Sequence, residues 1–322
     1  MRTLIDFDSA LAFAIPTVNR SGGTSIREGM LLEGPQGWGE FSPVADDEVA
    51  AWLTAATEPG TVGWPDTTRG RIPISVTVPA VDPGAAHELV ARSGCGTADV
   101  VVADRPDSLA DDVARLEAVR DALGAQGALR CTANSAWDVD TGVDAIGAMV
   151  RAVGELEYVQ DPCRTLAESA VLRRQLDVRI AVDVASHLAD EAPDRLTEVA
   201  DVAVLRSGPL GGVRRALRVG ERIGLPCVVS STHETSIGLA AGLALAGALP
   251  ELPFACALGT RLLMSGDVVT AARSLLPVDG CLPVAPMPPA PDDGLVARYA
   301  LTDPERLAWW RKRLRANLVT GE

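Results

Sequence analysis

The chain has 322 residues, 47% hydrophobic and 22% charged, with a formal net charge of −14. Those proportions fit a globular protein long enough for a barrel with an added domain, and an acidic balance without a basic patch argues against nucleic acid or an anionic membrane as partner. No uncharged apolar run reaches the roughly 18 residues of a membrane span, Asp6 and Asp8 interrupt any apolar leader, and six scattered cysteines without a CxxC pair read as buried thiols, so a cytoplasmic location is expected.

Residues 1–72 read as a small α+β capping unit. Positions 25–33 alternate and then run apolar, Gly34-Pro-Gln-Gly37 is turn chemistry, and Trp38-Gly-Glu-Phe resumes an extended segment, so a hairpin is expected. A short helix is expected over 46–57 and a linker over 60–71. From Pro73 to residue 260 apolar strands alternate with amphipathic helices. The strands expected are 74–79, 98–103, 129–132, 157–160, 180–183, 202–206, 227–230 and 254–258. Helices are expected at 108–123, 143–153, 166–176, 211–223 and 236–248. Eight strands with crossover helices predict an α/β fold, a modified (β/α) barrel of the TIM type. The turn after the first strand, Val78-Pro-Ala-Val-Asp-Pro83, is no dinucleotide fingerprint. Residues 261–322 break the pattern: a Pro-rich stretch at 282–291 wraps a surface, and a helix over 307–314 carries Trp309 and Trp310 back onto the barrel or the cap.

Barrel enzymes keep their chemistry at the C-terminal strand ends. Those positions offer Asp99 and Val101, Thr132 and Asn134, Gln160 and Asp161, Asp183, Arg206, and Ser230 through Glu234. Lys312 is the sole lysine, which removes lysine as a base anywhere in the body of the chain. Arg206 can clamp a carboxylate in two places but is too basic to accept a proton. It faces either Asp99 across the mouth or Asp183 on the neighbouring strand. His233, with an ordinary pKa near 6.5, is a candidate base oriented by Glu234. Ser230, Ser231 and Thr232 are candidate donors to a substrate carboxylate, and Asn134 and Glu234 are further candidate substrate-binding residues. His87 and His187, in a helix and at a helix start, have no assigned role. No nucleophile elbow supports a hydrolase.

Many blocks in one order carry a resemblance: Arg27-Glu-Gly with Trp38-Gly-Glu-Phe-Ser-Pro43, Thr77-Val-Pro-Ala80, Ala133-Asn-Ser-Ala-Trp137, Leu156-Glu-Tyr-Val159 with Pro162-Cys163, Pro209-Leu-Gly-Gly-Val213, and 230–238. Over nearly its whole length the chain resembles the enolase superfamily, and within it the o-succinylbenzoate synthases of the actinobacterial menaquinone pathway. The resemblance implies a lyase that dehydrates a cyclohexadiene carboxylate. It also implies three carboxylates on consecutive strands holding Mg²⁺, a Lys-x-Lys pair on the second strand that removes the α-proton, and a lysine on the sixth. The divalent charge stabilises the enediolate that forms.

The sequence departs from that pattern at most of these positions. Asp99-Val100-Val101 stands for Lys-x-Lys, Thr132 and Gln160 replace two metal carboxylates, and Arg206 replaces the sixth-strand lysine. Val184 follows the retained Asp183, and the loop near residue 20 reads Asn19-Arg-Ser-Gly-Gly-Thr24 without bulky side chains. Asp161, as the strand neighbour of Gln160, is expected to point to the other face. A hard cation wants several charged oxygens, so no cofactor is expected, and ordinary Mg²⁺-dependent activity is expected to be absent or weak. The alternatives are a metal-independent enzyme acting on a small carboxylate through Asp183, Arg206 and His233, or a non-catalytic carboxylate-binding protein.

Overall fold

The computed structural model describes residues 5–19, 21–44, 49–187 and 195–316. The chain opens with an antiparallel meander of β1 (Leu11–Val18), β2 (Thr24–Gly34) and β3 (Gly37–Phe41). The expected hairpin is the β2–β3 pair, with Gly34 opposite Gly37. β1 was not foreseen, because Pro16 interrupts its pattern. β1 is an edge strand, where a missing N–H is tolerated, and it pairs with β2 along its whole length. Helix α1 (Val49–Thr61) lies across the meander and buries Trp52, Leu53 and Ala56 against Met30, Leu32 and Phe41. It approaches so closely that a Cβ at Gly39 would fall 1.8 Å from the Ala56 carbonyl oxygen. The helix runs four residues beyond its expected end, and positions 46–48 lie outside the described residues.

The barrel follows as β5 (Ser75–Val78), α2 (Pro83–Ser93), β6 (Thr97–Val101), α3 (Leu109–Leu123), β7 (Ala128–Thr132), α4 (Val139–Val153), β8 (Val159–Gln160), α5 (Leu166–Arg173), β9 (Ile180–Asp183), α6 (Val184–His187), α7 (Leu196–Val199), β10 (Val202–Leu205), α8 (Val213–Ile223), β11 (Cys227–Val229) and α9 (Ser236–Ala248). Local chemistry sets the helix ends. Asp82 accepts from the Ala85 N–H ahead of Pro83, Asp138 accepts from Thr141, and Thr165 with Glu168 forms a reciprocal capping box. Among the described residues, β5 through β11 form one parallel sheet in sequence order.

The eighth expected strand, 254–258, is reduced to two bridges, Cys256 beside Ile74 and Ala257 beside Ser230. Ser75 N–H donates to Cys256 O and Ala257 N–H to Val229 O, both at 2.8 Å, so this short segment joins the two sheet edges and closes the barrel. It stays short because a 3₁₀ turn, Gly259–Leu263, starts at once, with Gly259 pressed on the Ser75 carbonyl.

Strand alternation separates two environments. Val76, Val100, Cys131, Val182 and Leu205 face the helices in the main core. Tyr158, Ala181, Val202, Val204 and Val228 fill the barrel interior. Arg130 also points inward and is fully buried. Its Nη2 donates to Ala255 O at 2.7 Å, Nη1 donates to the Tyr158 hydroxyl, and Nε lies 3.2 Å from Glu157 Oε2.

After the barrel, β12 (Cys281–Pro283) pairs antiparallel with β4 (Arg71–Pro73), so the Pro-rich stretch starts as a strand. Two helices follow, α10 (Asp293–Arg298) and α11 (Pro304–Ala316). Trp310 of α11 meets Phe41 edge-on at 6.0 Å, and its indole N–H donates to Glu28 Oε2 at 2.7 Å. The C-terminal helix therefore packs on the N-terminal meander. Among the described residues no helix is long and apolar enough to cross a membrane.

Two carboxylates fasten the meander unit to the barrel. Glu40 Oε2 accepts from the N–H groups of Thr235 (3.0 Å) and Gly238 (3.1 Å) at the start of α9. Glu58 accepts from Val213 N–H (2.6 Å) and Arg214 N–H (3.1 Å) at the start of α8. Helix N-termini present unpaired donors and a positive dipole end, which suits a buried carboxylate. Burial still raises both groups, Glu40 to about 7, with Thr235 and Ser42 hydroxyl bonds and Arg27 opposing and Glu234 adding.

Candidate functional site

The inward residues at the strand ends line a cavity of about 800 Å³ at the barrel mouth. Thr77, Asp99, Thr132, Gln160, Asp183 and Arg206 form its floor, with Ser230 and His233 at one side. Thr17, Asn19, Ser25 and Arg27 of the meander unit cover it.

At its centre Arg206 Nη2 lies 2.9 Å from Asp183 Oδ2. Of the two partners open to Arg206 in the sequence, the structure selects Asp183. β9 and β10 are adjacent, with Val204 opposite Asp183 in register, so a long side chain two residues on reaches the carboxylate. Asp183 also caps α6: Oδ1 accepts from Ala185 N–H at 3.2 Å and Oδ2 from the Ser186 hydroxyl at 2.9 Å. Burial raises the Asp183 carboxyl above the usual range; Arg206 opposes this and Asp161 adds to it.

Asp99 has a different partner. Thr132 Oγ1 donates to Asp99 Oδ1 at 2.7 Å. Asp161 does not follow the expected alternation. Its φ is +44°, in the left-handed region, so the strand pattern ends at Gln160. Asp161 Oδ1 accepts from Asp183 N–H at 3.0 Å, and Oδ2 accepts from the Gln160 amide at 2.9 Å. The carboxylate thus turns toward Asp183 instead of away from it. His187, expected at a helix start, ends α6, with Nε2 3.7 Å from Asp161 Oδ1.

These contacts decide how a divalent cation would fit. Of the three positions that the resemblance makes ligands, Thr132 is neutral and spends its hydroxyl proton on Asp99. Gln160 is neutral and donates to Asp161. Asp183 carries a guanidinium on one oxygen and helix-capping bonds on both. Among the described residues no group of three or more His, Cys, Asp or Glu side chains is placed to hold a metal ion. A hard cation requires several oxygens, charged ones among them, with lone pairs free. The residues present do not fit Mg²⁺.

The loop after β11 forms one wall. Ser230 and Thr232 line the cavity, and Ser231 Oγ bonds with Thr260 Oγ1 at 2.6 Å. Glu234 is buried and takes the Thr232 N–H (2.8 Å) and hydroxyl (2.5 Å), so it shapes the loop from behind and does not line the cavity. His233 lines the cavity at φ +66°, and its carbonyl accepts from Arg27 Nε at 3.1 Å. Arg27 Nη2 also donates to Ser42 Oγ at 3.0 Å. Asn134, expected to touch substrate, is exposed at φ +53° in a turn and is not part of the cavity wall.

Sequence reasoning missed Ser186, Arg27 and Arg215 as cavity residues. Ser186 had a local signal: a serine three residues after an N-capping aspartate. Arg27 and Arg215 had none, because a strand of the meander and the first turn of α8 reach the mouth only through tertiary packing.

Residues 84–291 match the enolase C-terminal domain-like family and residues 12–59 the enolase N-terminal domain-like family. The chain is 54% identical over 278 residues to o-succinylbenzoate synthase of Thermobifida fusca, covering 85% of this chain and 86% of that protein. It is 44% identical over 307 residues to o-succinylbenzoate synthase of Mycolicibacterium smegmatis, covering 94% and 92%. Its fold is similar to muconate lactonizing enzyme from Pseudomonas fluorescens (TM-score 0.74, 17% identity, 90% of this chain and 97% of that one). The L-Ala-D/L-Glu epimerase from Bacillus subtilis is similar as well (TM-score 0.70, 20% identity, 87% and 95%).

Proposed function

Because the chain belongs to the enolase superfamily and, within it, to the o-succinylbenzoate synthase family, we propose that its barrel mouth binds a small organic carboxylate on Arg206, and that the family's metal-dependent lyase reaction is absent or severely weakened here. The observation that carries this reading is the 2.9 Å contact of Arg206 with Asp183. A guanidinium sits on the one carboxylate retained from the metal set. It supplies a fixed positive charge with a planar donor fork, which suits a carboxylate ligand.

Arg206 cannot accept the α-proton, and Asp99 and Val101 stand where the family has lysines. Metal and base each contribute several powers of ten to such a reaction. Asp183, whose carboxyl is raised by burial, and His233 on the wall are the groups left for any proton transfer. The same reading makes the partner a small molecule, not nucleic acid or membrane, in the cytoplasm.

A second reading, a working lyase with an unusual site, is favoured by Asp161, which turns a second carboxylate toward Asp183. One experiment separates the two. Metal content and o-succinylbenzoate formation are measured on the same purified sample with added Mg²⁺, beside the Thermobifida fusca relative. The proposal expects no tightly bound metal and turnover lower by about a thousandfold or more. Comparable Mg²⁺-dependent turnover would establish the second reading and sink the first.

A further inference from the structure

A second, small cavity lies where the meander unit meets the barrel. It holds about 20 Å³ and is lined by Glu40, Trp52 and Trp64 on one side and by Ser207, Glu234 and Gly238 on the other. None of these six residues lines the barrel mouth. A Cβ at Gly238 would fall 2.8 Å from Glu234 Cβ and 2.9 Å from Glu40 Cδ, so bare backbone lets the two acidic side chains share one wall.

Four polar groups here have bonding capacity left. Trp52 is 1% exposed, and Nε1 of both Trp52 and Trp64 is shut from solvent without an acceptor among the described residues. An indole N–H can only donate, and leaving it buried and unmet is costly. Glu40 Oε1 accepts from the Ser42 hydroxyl, and each oxygen of Glu234 accepts one donor from Thr232. A carboxylate oxygen has two lone pairs, so acceptor sites remain on both side chains. Volume and charge select the occupant. The cavity exceeds the roughly 10–15 Å³ that one water needs and leaves too little for a second. Two N–H donors repel a cation, and two carboxylates repel an anion. A water accepts two hydrogen bonds and donates two, which complements this set of groups.

We propose that the joint between the meander unit and the barrel is a binding site for one water, which accepts from the indoles of Trp52 and Trp64 and donates to Glu40 and Glu234. It adds a bridge to the two carboxylate–helix contacts of this joint. It also ties Glu234, which shapes the wall loop from behind, to the meander unit.

The test is NMR on the full chain labelled with nitrogen-15 at tryptophan, beside a crystal structure of the same protein soaked in rubidium bromide. Trp52→Phe and Trp64→Phe each delete one indole signal and so assign the two N–H groups. Both groups show cross-peaks to water with the sign of a long-lived bound molecule. The crystal shows one density peak within hydrogen-bond distance of an indole Nε1 and a carboxylate oxygen, with no anomalous signal. An anomalous signal from rubidium or bromide at that peak would make this an ion site and overturn the proposal. Indoles seated directly on a protein acceptor, with no cross-peak to bound water and no density between them and the carboxylates, would overturn it as well.

Discussion

Thr132 Oγ1 donates to Asp99 Oδ1 at 2.7 Å, so side chains of two adjacent barrel strands pair at the floor of the cavity. Asp99 is buried at the mouth, where a carboxylate without a partner is costly. Thr132 supplies a hydroxyl donor to it, and Arg130, one strand over in register with Asp99, adds positive charge below. Thr132→Ala removes the donor and is expected to cost about 1–3 kcal/mol. Thr132→Ser keeps it and costs less than about 1 kcal/mol. Urea unfolding of both variants checks the difference, and equal losses would show that the methyl group, not the hydroxyl, matters.

Arg206→Ala leaves Asp183 in a site only 2% exposed. Breaking a fully buried pair costs about 3–5 kcal/mol; Arg206 is 22% exposed, so about 2–3 kcal/mol is expected near neutral pH. Burial already raises the Asp183 carboxyl and Arg206 opposes it, so the variant holds its proton to higher pH than wild type does. The folded variant then binds a proton that the unfolded chain releases, and its stability falls as pH rises above the ordinary carboxylate range. The gap to wild type is predicted to be narrower at pH about 4 than at pH about 7.5, as read from denaturation midpoints.

Glu40 gives a pH signature to the joint between the meander and α9. Its carboxyl rises from 4.5 to about 7, through burial first. Between those values the folded protein holds more protons than the unfolded chain, so this contribution favours folding below pH 4.5 and is lost as pH rises through about 7. The full swing corresponds to about 3 kcal/mol. Glu40→Gln retains a carbonyl for the Thr235 and Gly238 N–H groups and removes the titration. Its stability profile is predicted to be flatter than wild type across that window. An unchanged slope would assign the pH dependence to another group.

Arg130→Ala removes the cation from the barrel interior, empties its volume, and leaves the Ala255 carbonyl and the Tyr158 hydroxyl without their donor. The expected cost is about 3–5 kcal/mol. Ala255 precedes the two residues that close the barrel, so hydrogen exchange at the Ser75 and Ala257 amides is expected to accelerate more than exchange at the centre of the sheet.

Much of this fold is legible from periodicity. Ile180–Asp183 and Ser236–Ala248 fall where the apolar pattern places them, because each is bounded by residues with strong local preferences. The 254–258 segment reads as a strand and ends as two bridges, since barrel closure and the 3₁₀ turn after it are set by contact with Ser75, far away in sequence. Asp161 defeats the alternation argument through a single left-handed φ. The Asp183–Arg206 contact was one of two partners open in the sequence; strand register decides it. Arg215 carries no sequence signal, because the first turn of α8 reaches the cavity only through tertiary packing.

Glu40 and Glu58 seat on the starts of consecutive barrel helices, α9 and α8, and so pin one flank of the N-terminal unit. The other flank ends in a compact turn, where Asn19 Oδ1 accepts the N–H groups of Ser21 and Gly23, and Gly22 lies on the Ala80 carbonyl without a side chain between them. The β1 side is held as well: Thr17 Oγ1 donates to Leu263 O at 3.1 Å, and Ser265 N–H donates to Pro16 O at 2.9 Å. The roof of the cavity is thus bolted to the barrel on both sides of the mouth, so the floor and its cover keep one spacing.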